Sequence, residues 1–320
     1  MYKKYIRIYK IIFIISLASL ILIIAPQIFS GGLGIAILSQ MGIAIVACLS
    51  YNLLLGQGGM LSFGHAVYTG MGAFFAIHAL NKMGDGSLPI AVSLIPIIGG
   101  LAGMVLALIL GYITTRKSGA TFAMITMGIG ELVSAFALMF PVFFGGEGGI
   151  SGNRVIQPTV MGIDYAAPIQ VYYLIVIYTL LSAIGLFALT KTPFGLMLNA
   201  VRDNADRVEF IGYNAHHIRY VALIVAGFFA GISGGLSAIH FEMVTIESLS
   251  TARSGAYLLF TFLGGTGFFF GPIIGAIGMV LALVVLSEFT ALWAFYVGLL
   301  FIIMTIFSPQ GVIKLFHRNL

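Results

Sequence analysis

Long apolar runs and short polar breaks alternate along the whole chain. Ten runs stand out, at about 11–29, 33–54, 62–80, 89–111, 120–144, 169–190, 220–240, 254–268, 272–287 and 290–307. No charged residue falls in the 71 positions between Lys10 and Lys82, the 30 between Asp85 and Arg116, or the 34 between Arg253 and Glu288. A helix that crosses the hydrocarbon core needs about 20 apolar residues, so the first gap has room for several. The runs are apolar all round, whereas the strands of a membrane barrel alternate in polarity over about ten residues. The pattern predicts an all-α, polytopic transmembrane helical bundle with about ten crossings, forming a single domain over 1–320. The eighth run is short and is interrupted by Gly264-Gly265-Thr266-Gly267, which predicts a broken helix there.

Composition sharpens this picture. The 320 residues are 60% hydrophobic and 8% charged, with a mean hydropathy of +1.10. Soluble domains carry roughly a quarter of their residues as charges, so secreted, nuclear and cytosolic globular classes are excluded. Forty-one glycines suit helices packed closely in lipid, where small residues let backbones approach. One cysteine, Cys48, excludes an internal disulfide and argues against a Cys-rich metal site. Residues 1–10 followed by an apolar run resemble a signal peptide. The run 11–29 is long enough to span, however, and no A-x-A cleavage pattern follows it, so a retained first helix is expected.

The basic residues orient the bundle. With a cytoplasmic N-terminus, twelve of them fall inside: Lys3, Lys4, Arg7, Lys10, Arg116, Lys117, Lys191, Arg202, Arg207, Arg219, Lys314 and Arg318. Lys82, Arg154 and Arg253 fall outside. This bias predicts cytoplasmic N- and C-termini. Ten crossings return the C-terminus to the inner side, which favours keeping the doubtful eighth.

Two polar loops are long. Residues 145–168 are Gly-rich, without helical period, and fall outside. Residues 191–219 fall inside and differ in kind. There Leu198, Val201, Ala205, Val208 and Ile211 recur at spacings of three and four, predicting one short helix with a single apolar stripe. Arg202/Asp206 and Asp203/Arg207 form opposite-charge pairs four apart on its other face. Pro193 precedes this helix and Gly212 can end it. Such a stripe suits the membrane surface or a groove in a partner.

Several motifs carry possible chemistry. No lysine follows a glycine, so G-x-x-x-x-G-K-[ST] is absent, and the chain has no ATP-binding loop of that type. Gly231-Ile232-Ser233-Gly234-Gly235 matches G-x-S-x-G and is similar to the G-x-S-G of rhomboid intramembrane proteases. His65 is then the available base for Ser233. The same string places Gly227, Gly231 and Gly235 four apart, a double G-x-x-x-G face for helix contact. Glu131 lies near the middle of the fifth run, where an ionised carboxylate in hydrocarbon is costly, so it is expected to face the bundle interior. There it serves a substrate or ion path, an ion-coupled carrier included, or is a structural hydrogen-bonded group. Residues 56–65, GQGGMLSFGH, and 264–272, GGTGFFFGP, favour irregular backbone. Such backbone at membrane depth lines a path or is buried in protein; two ordinary turns are the alternative.

Taken together, NLLLGQGGMLSFGHAVYTGMGAF (52–74), TPFGLMLNAVRDNADRVEFIGYN (192–214) and YLLFTFLGGTGFFFGPIIGA (257–276) resemble the permease subunits of bacterial branched-chain amino-acid ABC importers, of the LivM type. The resemblance covers about 40 to 310. It implies a non-enzymatic permease of the bacterial inner membrane, working with a second permease of the LivH type, two cytoplasmic ATPase subunits that use ATP, and a periplasmic substrate-binding protein. No cofactor or metal bound by this chain is implied. Sister permeases for urea and short amides share these motifs. On this resemblance 145–168 faces the binding protein and 192–214 is the coupling loop. Its contacts to the ATPase are expected from Pro193, Gly195, Val201, Arg202, Asp203, Val208, Glu209 and Gly212. Candidate path residues are Gln57, Ser62, His65, Tyr68, Glu131, Gly264 and Gly265.

Overall fold

The computed structural model describes residues 22–29, 31–88, 90–155, 164–290, 292–307 and 311. The expected crossing at 11–29 is thus described only over its last residues, of which 22–28 are helical. Lys3, Lys4, Arg7, Lys10, Lys314, Arg318 and the stretch 156–163 of the expected outer loop lie outside the described residues.

The described chain is predominantly helical, in the order α1 (Gly32–Asn52), α2 (His65–Gly84), α3 (Ile95–Thr114), α4 (Gly119–Met139), α5 (Pro141–Phe144) and α6 (Pro168–Lys191). There follow α7 (Pro193–Asp203), α8 (Ala205–Phe210), α9 (Ala215–Phe241), α10 (Thr251–Gly264), α11 (Gly271–Phe289) and α12 (Trp293–Phe307). The only strands among the described residues are β1 (Ile150–Ser151) and β2 (Met243–Val244), paired antiparallel. Among the described residues, six helices are long and apolar enough to cross a membrane: Gly32–Gln57, Val92–Thr114, Gly119–Met139, Pro168–Lys191, Ala215–Phe241 and Gly271–Phe289. At 14 and 15 residues, α10 and α12 reach only about 21–23 Å, less than the hydrocarbon thickness. The expected run 120–144 is not one helix. Proline lacks an N–H and forces its predecessor out of the helical region, so α4 ends at Met139 and Phe140 turns to φ −119° before Pro141 starts α5.

The most enclosed of the six is α9, which packs chiefly on α3 and α2, while α4, α6 and α11 keep mostly open faces. The α9 seam is made of glycine. A methyl group on Gly72 of α2 would stand 2.6 Å from Gly231 Cα, and one on Gly99 of α3 would stand 2.6 Å from the Gly231 carbonyl oxygen. A methyl on Gly235 would stand 2.7 Å from Pro96 Cα. No side chain fits at such separations, so the three backbones touch directly. The double G-x-x-x-G face is therefore a packing surface. Ser233, within it, donates from Oγ to the Ile43 carbonyl at 2.9 Å and ties α9 to α1. At the adjacent residue of α1, Thr179 Oγ1 donates to the Gly42 carbonyl at 3.2 Å and brings in α6.

Enlarging the seam is expected to cost at least the ~1–3 kcal/mol typical of overpacking, because backbone rather than a flexible side chain must move. Gly231→Leu should lose the monodisperse peak in size-exclusion chromatography after mild heating. Gly278→Leu, at a glycine with no atom within 4 Å of the added carbon, should keep it.

Candidate functional site

The centre of the site is the break between α1 and α2. Where α1 would stop, its last turn widens over Leu53–Gln57, residues 58–64 leave the helix, and α2 restarts at His65. Gly59 takes φ +63°, a left-handed conformation open to glycine. Buried irregular backbone needs partners for its polar groups, and three helices supply them. Tyr51 of α1 donates from its hydroxyl to the Ser62 carbonyl at 2.9 Å. Thr126 Oγ1 of α4 accepts from Phe63 N at 3.1 Å, and Ser254 Oγ of α10 accepts from Ala66 N at 2.8 Å.

Around this break Ser62, His65 and Tyr68 come together, all buried. His65 Nε2 shares a hydrogen bond of 2.9 Å with Ser50 Oγ. Tyr51 meets its ring edge-on at 5.1 Å, with Tyr68 and Tyr257 each at 6.2 Å. Ser62 Oγ, His65 Nδ1 and Asn52 Oδ1 are buried without a protein partner. The protease arrangement does not form: Ser233 is committed to Ile43 and His65 to Ser50, so nucleophile and base are not paired.

A second set of expected path residues meets below the first. Gly265 takes φ +111° and ends α10, and a methyl on Gly56 would collide with the Thr266 carbonyl. The widened turn that leads into the first break, at Gly56, therefore touches the second break, at 264–266, backbone to backbone. Helix α7 closes this junction. Asn199 Nδ2 donates to Gln57 Oε1 at 2.9 Å, and the Arg202 guanidinium donates to the Gly56 carbonyl at 2.6 Å.

The single helix expected between Pro193 and Gly212 is two. Thr192 Oγ1 caps α7, where Pro193 fits the first turn, and Asn204 leaves the helical region to accept from Arg207 N at 3.0 Å, capping α8. This break prevents the i,i+4 pairs: Arg202 instead pairs with Asp203 at 2.9 Å. The stripe also faces the other way. Leu198, Val201 and Val208 are buried in the chain's own core, while Ile211 is exposed. Val201 and Val208 therefore seat the loop, and the open apolar side chains are Leu196, Phe210 and Ile211. Gly195 is also enclosed, packed on Thr190; Asp203 and Glu209 remain exposed. Gly212 takes φ +91° and accomplishes the turn toward α9.

Glu131 does not face the bundle interior. It lies on the open face of α4, where its carboxylate accepts from the Thr251 hydroxyl. At the opposite end from α7, Arg154 holds the Gly-rich loop to the last turn of α9. Its guanidinium donates to the Tyr165, Ile239 and His240 carbonyls at 2.8, 3.2 and 3.2 Å and pairs with Glu242 at 3.9 Å. Such a clasp on free carbonyls at a helix C-terminus is favourable. Arg154, Asn199, Ser50, Tyr51 and Ser254 were not expected at the site. Arg154 could have been found as the one cation of its loop; Asn199 carries no local signal.

Broken helices joined to an amphipathic loop are the parts of a permease, and comparison with known proteins decides the kind. Residues 33–308 match the family described as branched-chain amino acid transport system / permease component. The chain belongs to this family. It is thus a multi-pass membrane permease component of an ABC transport system, not an enzyme. Among its relatives is the high-affinity branched-chain amino acid transport system permease protein LivM of Escherichia coli K12, 26% identical over 97% of this chain and 76% of the relative. The probable branched-chain amino acid transport permease protein LivM of Methanocaldococcus jannaschii is 24% identical over 87% of this chain and 92% of its own length. The guanosine ABC transporter permease protein NupQ of Bacillus subtilis is 35% identical, over 22% of each chain. No solved structure matches the permease.

Removing the Tyr51 hydroxyl leaves the buried Ser62 carbonyl unpaired, a loss of about 1–3 kcal/mol. Tyr51→Phe should accordingly lower the melting temperature of the purified permease, whereas Tyr296→Phe, on an exposed residue of α12, should leave it unchanged.

Proposed function

We propose that this permease imports branched-chain, hydrophobic amino acids across the bacterial inner membrane, together with a second permease, two ATPase subunits and a periplasmic binding protein. The observation that carries the reading is the fastening of α7 to the helix break, through Arg202 on Gly56 and Asn199 on Gln57. A push on α7 from a cytoplasmic ATPase is delivered straight to irregular backbone beside Ser62, His65 and Tyr68, and Gly264 and Gly265 abut the same junction. Alternating access then consists of opening and closing this junction. ATP is used by the partner, since the chain carries no P-loop.

The same reading sets the topology. The whole chain acts as one transmembrane unit of ten crossings, in which α2, α10, α12 and a helix over 11–29 join the six long spans. Residues 191–219 are cytoplasmic and 145–168 periplasmic, as the twelve-to-three distribution of basic residues favours. The ATPase meets the outer side of the loop, at Leu196, Phe210 and Ile211, ringed by Pro193, Asp203 and Glu209. The second permease covers the open face of α4, because a carboxylate at mid-span is costly against lipid, by about 2.5–3.5 kcal/mol on insertion scales. The names of the LivM relatives support the substrate class.

Uptake of labelled leucine, urea and guanosine by the complete complex in proteoliposomes tests the reading: only leucine should accumulate with ATP hydrolysis, and urea or guanosine uptake alone would refute the substrate. Phe210→Asp should detach the ATPase in co-purification. Arg202→Ala should leave the complex assembled but reduce leucine moved per ATP, and unchanged coupling would remove the role given to α7. With Cys48 replaced, cysteines at Asn153 and Asp206 should react with an impermeant maleimide from opposite sides of the membrane.

A further inference from the structure

Among the cavities at the surface of the described chain, three differ in chemistry. One of about 590 Å³, walled by Leu94, Ile97, Leu174 and Tyr178, has no charged lining residue. One of about 320 Å³ is lined by Arg154, whose guanidinium is already spent on carbonyls and on Glu242. The third, of about 360 Å³ between α1, α10 and α11, has two charged residues of opposite sign, Glu247 and Arg253. Its volume lies in the ~300–1,000 Å³ range of small-molecule sites.

The local sequence brings these two charges together. Ile246–Leu249 forms a tight helical turn, and Ser250 then caps α10 by accepting from Arg253 N at 3.2 Å. Glu247 and Arg253 thus flank the cap, both on the cavity. No ion pair within contact distance joins them among the described residues, yet Glu247 is near enough for its charge to favour that of Arg253, whose guanidinium also interacts with Tyr257, 6.0 Å from the ring centre. Opposite them the wall is aliphatic and buried, formed by Ile43, Met279 and Val280. The cavity therefore combines an apolar wall with a cation and an anion that are close but not in direct contact. Phe241 also lines it, just before the strand pair that holds the Gly-rich loop.

We infer that this cavity binds one zwitterionic α-amino acid with an aliphatic side chain, Arg253 taking its carboxylate and Glu247 its ammonium group. This rests on the importer reading above and names where the substrate is received on the binding-protein side. A zwitterion supplies both countercharges at once, and Arg meets a carboxylate through two parallel hydrogen bonds. The side chain then lies on Ile43, Met279 and Val280. Urea brings neither charge and a nucleoside brings no such pair, so the same contacts set specificity.

The complete transporter in proteoliposomes provides the test. Arg253→Gln and Glu247→Gln should each raise the KM for leucine by roughly tenfold or more, the scale of one charge-assisted hydrogen bond. With Cys48 replaced, Ala256→Cys on the cavity wall should react with a methanethiosulfonate reagent, and leucine should slow that reaction where urea does not. The labelling reads the site even if a charge variant fails to assemble. Unchanged KM in both variants, labelling indifferent to leucine, or a cysteine that never reacts because another subunit covers it would each overturn the site while leaving the importer intact. A wild-type complex that moves no hydrophobic amino acid would overturn the function itself.

Discussion

Direct backbone contact along α9 is the constraint on which the rest of the structure depends. Between helices in lipid, apolar burial gives no net drive to associate, because the displaced tails are as apolar as the side chains. Association then rests on close van der Waals contact, and glycine permits the closest. Gly72, Gly99 and Gly231 bring three helices together where even one methyl group does not fit. Once α2, α3 and α9 are so joined, Ser233 places α1 against the seam, and Thr179 places α6 against α1. The hydroxyl that looked like a nucleophile is the bracket between the seam and the broken helix.

That rigid block lets the molecule hold irregular backbone inside it. The break at 58–64 is tolerated because its polar groups reach Tyr51 and Thr126, and Ser254 holds Ala66 N at the start of α2, each from a different helix. These residues lie far apart in sequence, so the break exists only when the bundle is assembled. Ser62 Oγ and His65 Nδ1, both buried and without a protein partner, lie beside this break.

Much of this was legible in the residues. Apolar runs gave the helices, because lipid enforces length and apolarity on every span. Gly212 and Gly265 marked turns since each needs a left-handed backbone. Pro141 and Asn204 were equally legible as breaks, yet the apolar pattern continued across both and concealed them. The direction of the stripe on α7 and α8 was not legible. Periodicity shows that Leu198, Val201 and Val208 share a face, but not whether that face meets a partner or its own chain. Glu131 failed for a related reason: cost requires that a mid-span carboxylate be covered, and a single chain does not say by what. The contact of Asn199 with Gln57 spans 142 positions and leaves no local trace.

The two ends of the molecule are built to different stiffness, which bears on how such a permease moves. At one end Arg154 clasps the final carbonyls of α9, and the strand pair binds the loop to the same helix. That end is fixed to the glycine seam by several bonds. At the other end α7 is joined to α8 through the extended Asn204, and its grip on the interior is one guanidinium and one amide on a helix break. Displacing α7 strains those two bonds and the widened turn at Leu53–Gln57 well before it disturbs the seam. Displacement of α7 would therefore be concentrated at the break, with α9 and its clasped loop as the stiffer frame.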